Sequence, residues 1–357
     1  MMRPTHAPHA HEGSTVARTM QLVMLALTPA TLFAFWLNGW PALLLWLVTV
    51  ASAVLAEFFY LRASARPAGP TLADGSAVLT GWLLALSLPA WAPWWVGALG
   101  SVFAIIVVKQ VFGGLGQNLF NPAMMARAML LIAFPVELTT WVQPAPWFSG
   151  HALGLSEAWS ITFLGQMPSS FDALTGATTL GHVKTELTRH IAVPEALAAH
   201  GQSLGAGLFG LHGGSLGETA ALLLALGGLA LIALRVITWH IPLAMIAGLA
   251  LPALLLHAHD PAHYLDAATH VLAGGLILGA FFIATDPVTS PGSPRGQLIF
   301  GFGCGLLTWL IRTYGGYPEA VAFAVLLMNG LTPVIDRYAR PRIYGHAKKP
   351  GLDGGAP

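Results

Sequence analysis

Charge is scarce in this chain. Of its 357 residues only 9% are Asp, Glu, Lys or Arg, against about a quarter in an ordinary soluble domain, so a water-exposed surface over the whole molecule is excluded. The net charge is +1, and the basic residues gather into no patch that would track phosphates, which argues against nucleic acid as a partner. Cysteine is nearly absent. Cys304 alone excludes an internal disulfide and a cysteine-ligated iron–sulfur cluster, which needs about four thiolates.

What is abundant is apolar: 55% of the residues are hydrophobic, and they fall in long blocks that no single soluble core would bury. The chain therefore reads as an all-α polytopic membrane protein. Helical spans are expected at about 20–37, 41–60, 76–89, 93–109, 120–135, 216–236, 241–257, 269–285, 296–312 and 319–334, since a hydrocarbon core about 30 Å thick needs close to 20 helical residues. The run after Arg3 and Arg18 is too long for a signal-peptide core and lacks a small-x-small cleavage site, so it is expected to remain as the first span. The third and fifth spans are short and bounded by Pro89, Pro93, Pro122 and Pro135; broken or half-length helices, whose freed backbone groups line a cavity, are expected there.

The resulting organisation is a tail at 1–18, a five-helix membrane unit at 19–135, a polar loop at 136–215, a second five-helix unit at 216–335, and a basic tail at 336–357. Leu79-Thr80-Gly81 leading to Pro89 has a counterpart in Leu272-Ala273-Gly274 leading to Pro287, and Gly113-Gly114 has one in Gly315-Gly316. An odd number of spans per copy would invert the second, as in many transporter folds. With a cytoplasmic amino terminus, Arg3, Arg18, Arg62, Arg66, Lys109, Arg235, Arg295, Arg337, Arg340, Arg342, Lys348 and Lys349 fall inside, and only Lys184, Arg189 and Arg312 fall outside. Both termini are then cytoplasmic and the long loop is periplasmic in a bacterial inner membrane.

That loop carries Asp172-Ala173-Leu174-Thr175-Gly176-Ala177-Thr178, whose small residues leave a threonine hydroxyl on open backbone. The residues alone leave two readings, a Thr/Gly-rich turn or a covalent attachment point. Here the chain resembles a known family, the one that includes the D subunit of the bacterial Rnf complex and the B subunit of the sodium-pumping NADH:quinone reductase. The run has that family's Asp-x-x-(Ser/Thr)-Gly-Ala-Thr form. Gly113-Gly114-Leu115-Gly116-Gln117-Asn118-Leu119-Phe120-Asn121-Pro122-Ala123 and Thr285-Asp286-Pro287-Val288-Thr289-Ser290-Pro291 resemble it too, in the expected order. The length and short amino-terminal arm are more similar to the Rnf D subunit.

The resemblance implies FMN joined by a phosphoester to Thr178, with Asp172, Thr175, Gly176 and Ala177 as the signal for a flavin transferase. It also implies a membrane subunit that carries electrons between NADH and ferredoxin, coupled to Na⁺ or H⁺ movement, within a complex that includes the A, B, C, E and G subunits of Rnf. It implies no catalytic constellation in this subunit alone. Asn118 and Asn121 have two readings, caps for the helix begun by Pro122 or contacts to a non-covalent riboflavin. The alternatives in function are the quinone-reductase B subunit and a flavin-free solute transporter or channel of inverted-repeat fold.

Glu57, Lys109, Arg127 and Asp286 are the ionisable groups in or at the ends of spans. Each costs roughly 2.5–3.5 kcal/mol at a span centre, so such groups face the bundle interior and a partner. Glu57 and Asp286 are candidates for an ion path. A buried Glu57–Arg127 pair is one expectation and snorkelling of Arg127 the other; Asp286-Pro287 also reads as a helix end. His257, His259, His263 and His270 are read as interfacial rather than metal ligands, because Pro261 interrupts the helical spacing that ligation would need.

Overall fold

In the computed structural model, residues 15–150, 152–166, 178–199, 204–210, 213–317 and 319–340 are described. Among them there are helices and no strand, with one isolated bridge between Pro89 and Ser215. Asp172, Thr175, Gly176 and Ala177 lie outside the described residues.

The first element, α1 (Val16–Ala63), covers both of the first two expected spans and is turned at Gly39, where φ is 74° and ψ −160°. Only glycine adopts that conformation without strain. The chain doubles back there. Met20 packs on Gly75, while Glu57 reaches the neighbouring Ser76 through Lys109, so the two ends of α1 meet at one place. Between the arms lies α2 (Ser76–Leu86): Trp82 Nε1 donates to Thr31 Oγ1 at 2.9 Å, and Gly81 faces Val50 and Ala53 closely enough that a Cβ would collide with both. Then come α3 (Trp94–Gln110), wound as a π-helix from Phe103 onward, and α4 (Pro122–Ala133). At 11 and 12 residues, α2 and α4 extend only about 17–18 Å, the half-length helices that their prolines led us to expect.

The loop region contributes α5 (Thr179–Thr188) and some shorter helices. Next are α6 (Ala221–Ala233) and α7 (His240–His259). The eighth expected span is broken into α8 (Ala267–Leu272) and α9 (Leu276–Leu278), the latter continued by a π-helical turn at Gly279–Ile283. Gly274, at φ +71°, makes the break. The carbonyls it releases are taken by one side chain: Arg312 donates from Nη1 to His270 O at 2.5 Å and from Nη2 to Ala273 O at 3.0 Å, so the unpaired acceptors of a helix end are satisfied inside the bundle. The last two helices are α10 (Pro294–Tyr314) and α11 (Val321–Tyr338). The glycines expected to mark a repeat differ locally. Gly113 and Gly114 have φ +123° and +104°, whereas Gly315 has φ −79°.

Helices α1 and α7 are long and apolar enough to cross a membrane; α2, α3, α4 and α6 are shorter apolar helices. The outside of the bundle is apolar as well: Leu25, Leu32, Phe59, Ile132 and Leu255 are each more than half exposed. A surface of that kind suits lipid and not water. Between α7 and α10 the backbones touch, because Gly248, Gly301 and Gly305 leave no side chain in the seam; small residues are the usual means of close approach where lipid supplies no hydrophobic drive.

Candidate functional site

Helix α4 has a cavity at each end. Asn121, Pro122 and Ala123 line the first, of about 90 Å³, and Arg127 and Leu131 line the second, of about 430 Å³.

The smaller cavity collects several of the expected site residues: Asn118, Asn121 and Asp286, with Ser76, Thr80, Lys109 and Thr285. Asn121 is the N-cap of α4, accepting from Met124 N at 3.2 Å through Oδ1; its backbone N donates to Asn329 Oδ1 at 3.1 Å and its Nδ2 to Ile283 O at 3.5 Å. Every polar atom of that side chain is engaged. Asn118 is different, since Nδ2 donates to Phe120 O at 3.1 Å while Oδ1 is buried without a partner. Asp286 closes a turn, accepting from Val288 N at 3.2 Å and Thr289 Oγ1 at 3.1 Å, beyond the end of the π-helical turn. At about 90 Å³ the space is well below the roughly 300–1,000 Å³ of a cofactor pocket.

Glu57 is fully buried beside this cavity. Its Oε1 accepts from Lys109 Nζ and from Gln110 Nε2, each at 2.6 Å, and Lys109 also donates to Ser76 Oγ at 2.6 Å. The expected Glu57–Arg127 pair is not formed. Arg127 is buried and pairs with Glu319 instead, so it does not snorkel either. The reason is depth: α4 starts inside the bundle, where Asn121 is already buried against Asn329, so further along it Arg127 has reached the other cavity.

The larger cavity is where Thr178 stands. Thr178 is the N-cap of α5, its Oγ1 accepting from Gly181 N at 3.1 Å, and it is buried. Thr178, Gly181, Lys184, Thr185 and Thr188 all line the cavity, spaced so that they share one face of the helix. Leu131, Leu138, Trp141 and Tyr317 supply apolar and aromatic wall, and Arg127 and Glu319 supply charge. Lys184 donates to Arg312 O at 3.2 Å and to Gly315 O, clamping α5 to the carbonyl end of α10, where a cation is favoured by the helix dipole. Burial pulls its ammonium below the ordinary lysine range.

Glu218 had not stood out in the sequence. It is buried next to the bridge between Pro89 and Ser215, its Oε1 accepting from Ser215 N at 3.2 Å and Oγ at 2.8 Å, and it acts electrostatically on both Arg127 and Arg312. The available signal was an acidic residue at the start of an apolar run. Among the described residues no cluster of three or more His, Cys, Asp or Glu could hold a metal.

Fold and site together define a helical membrane protein with a cavity at each end of one half-length helix, each cavity mostly apolar with a few charged and polar side chains in its wall. The sequence matches the NQR2, RnfD, RnfE family over residues 4–345, and the chain belongs to that family. Three relatives carry the name of the D subunit of an ion-translocating oxidoreductase complex. The one from Halorhodospira halophila (strain DSM 244 / SL1) is 52% identical over 341 residues, 96% of this chain and 95% of the relative. The one from Stutzerimonas stutzeri is 54% identical over 332 residues, 93% of each chain. The Rhodobacter capsulatus relative is 47% identical over 313 residues, 87% of this chain and 86% of the relative.

Proposed function

We propose that this chain is the D-type membrane subunit of an ion-translocating oxidoreductase complex, and that it carries FMN as a phosphoester on Thr178. The observation that carries the cofactor assignment is the position of Thr178: a hydroxyl at a helix N-terminus opening on a 430 Å³ cavity with aromatic walls. Free N–H groups and the dipole at such a terminus favour an anion, so a phosphate on Thr178 suits the site. Gly181, one turn into α5, adds no side chain to crowd it. The volume falls in the range of cofactor pockets, about 300–1,000 Å³. FMN held there would supply single-electron chemistry between partners. A periplasmic Thr178, cytoplasmic termini and an inner-membrane location belong to the same reading.

About ten spans belong to the same reading, and a pair of contacts is in keeping with an inverted-repeat organisation. Lys109, near the end of α3, bonds Ser76 at the start of α2; Arg312, near the end of α10, bonds His270 and Ala273 at α8. Lys109 lines the smaller cavity at the start of α4, and Arg312 shares a small cavity with Met124 and Arg127 further along it.

Electron flow between NADH and ferredoxin, exchanged with the other subunits, would drive Na⁺ or H⁺ across the membrane. Moving one charge against about 100 mV costs roughly 2.3 kcal/mol, so a single-electron step through a similar gap drives at most about one ion. Of the two candidates for an ion path, Asp286 lines the smaller cavity, whereas Glu57 is tied up by Lys109 and Gln110. Asp286→Asn is therefore expected to lower ion pumping in membrane vesicles more than electron transfer; equal pumping per electron would take the path away from this carboxylate. Non-covalent riboflavin at Asn118 and Asn121 rests on the free Asn118 oxygen, and the smaller cavity would have to widen for it.

The cofactor assignment is tested on the intact chain produced in a host with its flavin-attachment machinery. Mass spectrometry should find the chain heavier by one FMN less water, with fluorescence that survives denaturation. Thr178→Ala should abolish both. A wild-type chain with only the polypeptide's mass would favour a passive conduit.

A further inference from the structure

Within the larger cavity an ion pair is left half used. Arg127 and Glu319 bond each other through one nitrogen and one oxygen, Nη2 and Oε2. The other two atoms, Arg127 Nη1 and Glu319 Oε1, are buried and have no hydrogen-bond partner. A buried donor or acceptor left unpaired costs about 1–3 kcal/mol, more when charged. Two on one pair, in side chains that line a roomy cavity, call for a ligand that offers an acceptor and a donor side by side.

Resting on the assignment of FMN to Thr178, we propose that the Arg127–Glu319 pair holds the pyrimidine edge of the flavin ring. That edge presents a carbonyl, an imide N–H and a second carbonyl in a row. Arg127 Nη1 donates to a carbonyl and Glu319 Oε1 accepts from the imide N–H, while Leu131, Trp141 and Tyr317 provide flat apolar wall. The two side chains come from opposite halves of the sequence, α4 and the residues just before α11, so the ring is gripped where the halves meet. The pair is close to neutral overall, but its cation and anion act on the ring with opposite sign. Positive charge at the pyrimidine edge favours added electrons, and negative charge opposes them.

The test uses the full chain carrying its covalent flavin, with the adduct verified by mass and the midpoint potential read by spectroelectrochemistry. Arg127→Met leaves the carboxylate alone and is expected to shift the oxidised-to-reduced ratio at fixed potential about tenfold toward oxidised, which is about 30 mV more negative for a two-electron couple. Glu319→Gln keeps the volume and an acceptor oxygen, removes the negative charge, and is expected to shift the ratio about tenfold the other way. Arg127→Lys should return the potential toward wild type. Opposite shifts with the adduct intact support the proposal, since general loosening of the bundle would move both variants in one direction. Unchanged potentials, or shifts of the same sign, overturn it and leave the attachment to Thr178 standing. If Arg127→Met does not accumulate, Glu319→Gln decides alone, and an unchanged or more negative potential overturns the proposal. A wild-type chain without the adduct would instead remove the attachment itself.

Discussion

Lys109→Met is expected to destabilise the protein by about 3–5 kcal/mol, the usual consequence of removing one partner of a buried ion pair. Glu57 is fully buried and Lys109 almost so. With the ammonium gone, the Glu57 carboxylate retains only the Gln110 amide, and its Oε2 already has no partner. Ser76 Oγ loses a donor as well. The double variant Lys109→Met/Glu57→Gln removes both charges and should recover most of the stability. Thermal unfolding of the detergent-solubilised protein measures both. Equal losses in the single and double variants would show that the pair is not the source of the effect.

Two glycines on one helix should respond very differently to the same change. Gly303 and Gly305 both lie in α10, so replacement by alanine brings each the same gain in helix propensity, about 0.8–1 kcal/mol. A Cβ at Gly305 would run into the carbonyl oxygen of Met245 and lie 2.9 Å from Leu249 N, both backbone atoms of α7. Neither yields unless the helices part. A Cβ at Gly303 would meet Met328 Cε at 2.6 Å and Sδ at 2.7 Å, the free end of a flexible side chain. Gly305→Ala should therefore cost about 2 kcal/mol or more, in line with overpacking of a tight interface, and Gly303→Ala should stay within about 1 kcal/mol of wild type. A similar loss for both in thermal unfolding would mean that the α7–α10 seam is not the rigid contact described.

Particular elements show how far the sequence could be read. The expected span at 241–257 and α7 agree closely, because an apolar run of helix length has one stable form in lipid. Asn121 before Pro122 was readable as a cap for the same local reason. The break at Gly274 was harder to see. Glycines are frequent throughout, and only the Arg312 guanidinium, arriving from another helix, satisfies the carbonyls that this one frees. The expected Glu57–Arg127 pair failed because sequence distance along a half-length helix does not report depth. Thr178, which lines the larger cavity, stood out in the sequence through the motif that contains it. Glu319, Lys184 and Tyr317 carried no such mark.

By itself the amino-acid sequence determined that this chain is a helical membrane protein and roughly where its helices run, since the cost of burying charge and unpaired backbone in lipid acts on each segment separately. It also determined the family, through runs whose order survives any folding. Tertiary structure alone decided which charges neutralise which, that Asn118 and Asp286 share a cavity, and that Thr178 opens on a space walled by Arg127 and Glu319. Those outcomes depend on how far each helix is inserted and which face it turns inward, and packing sets both between residues far apart in the chain.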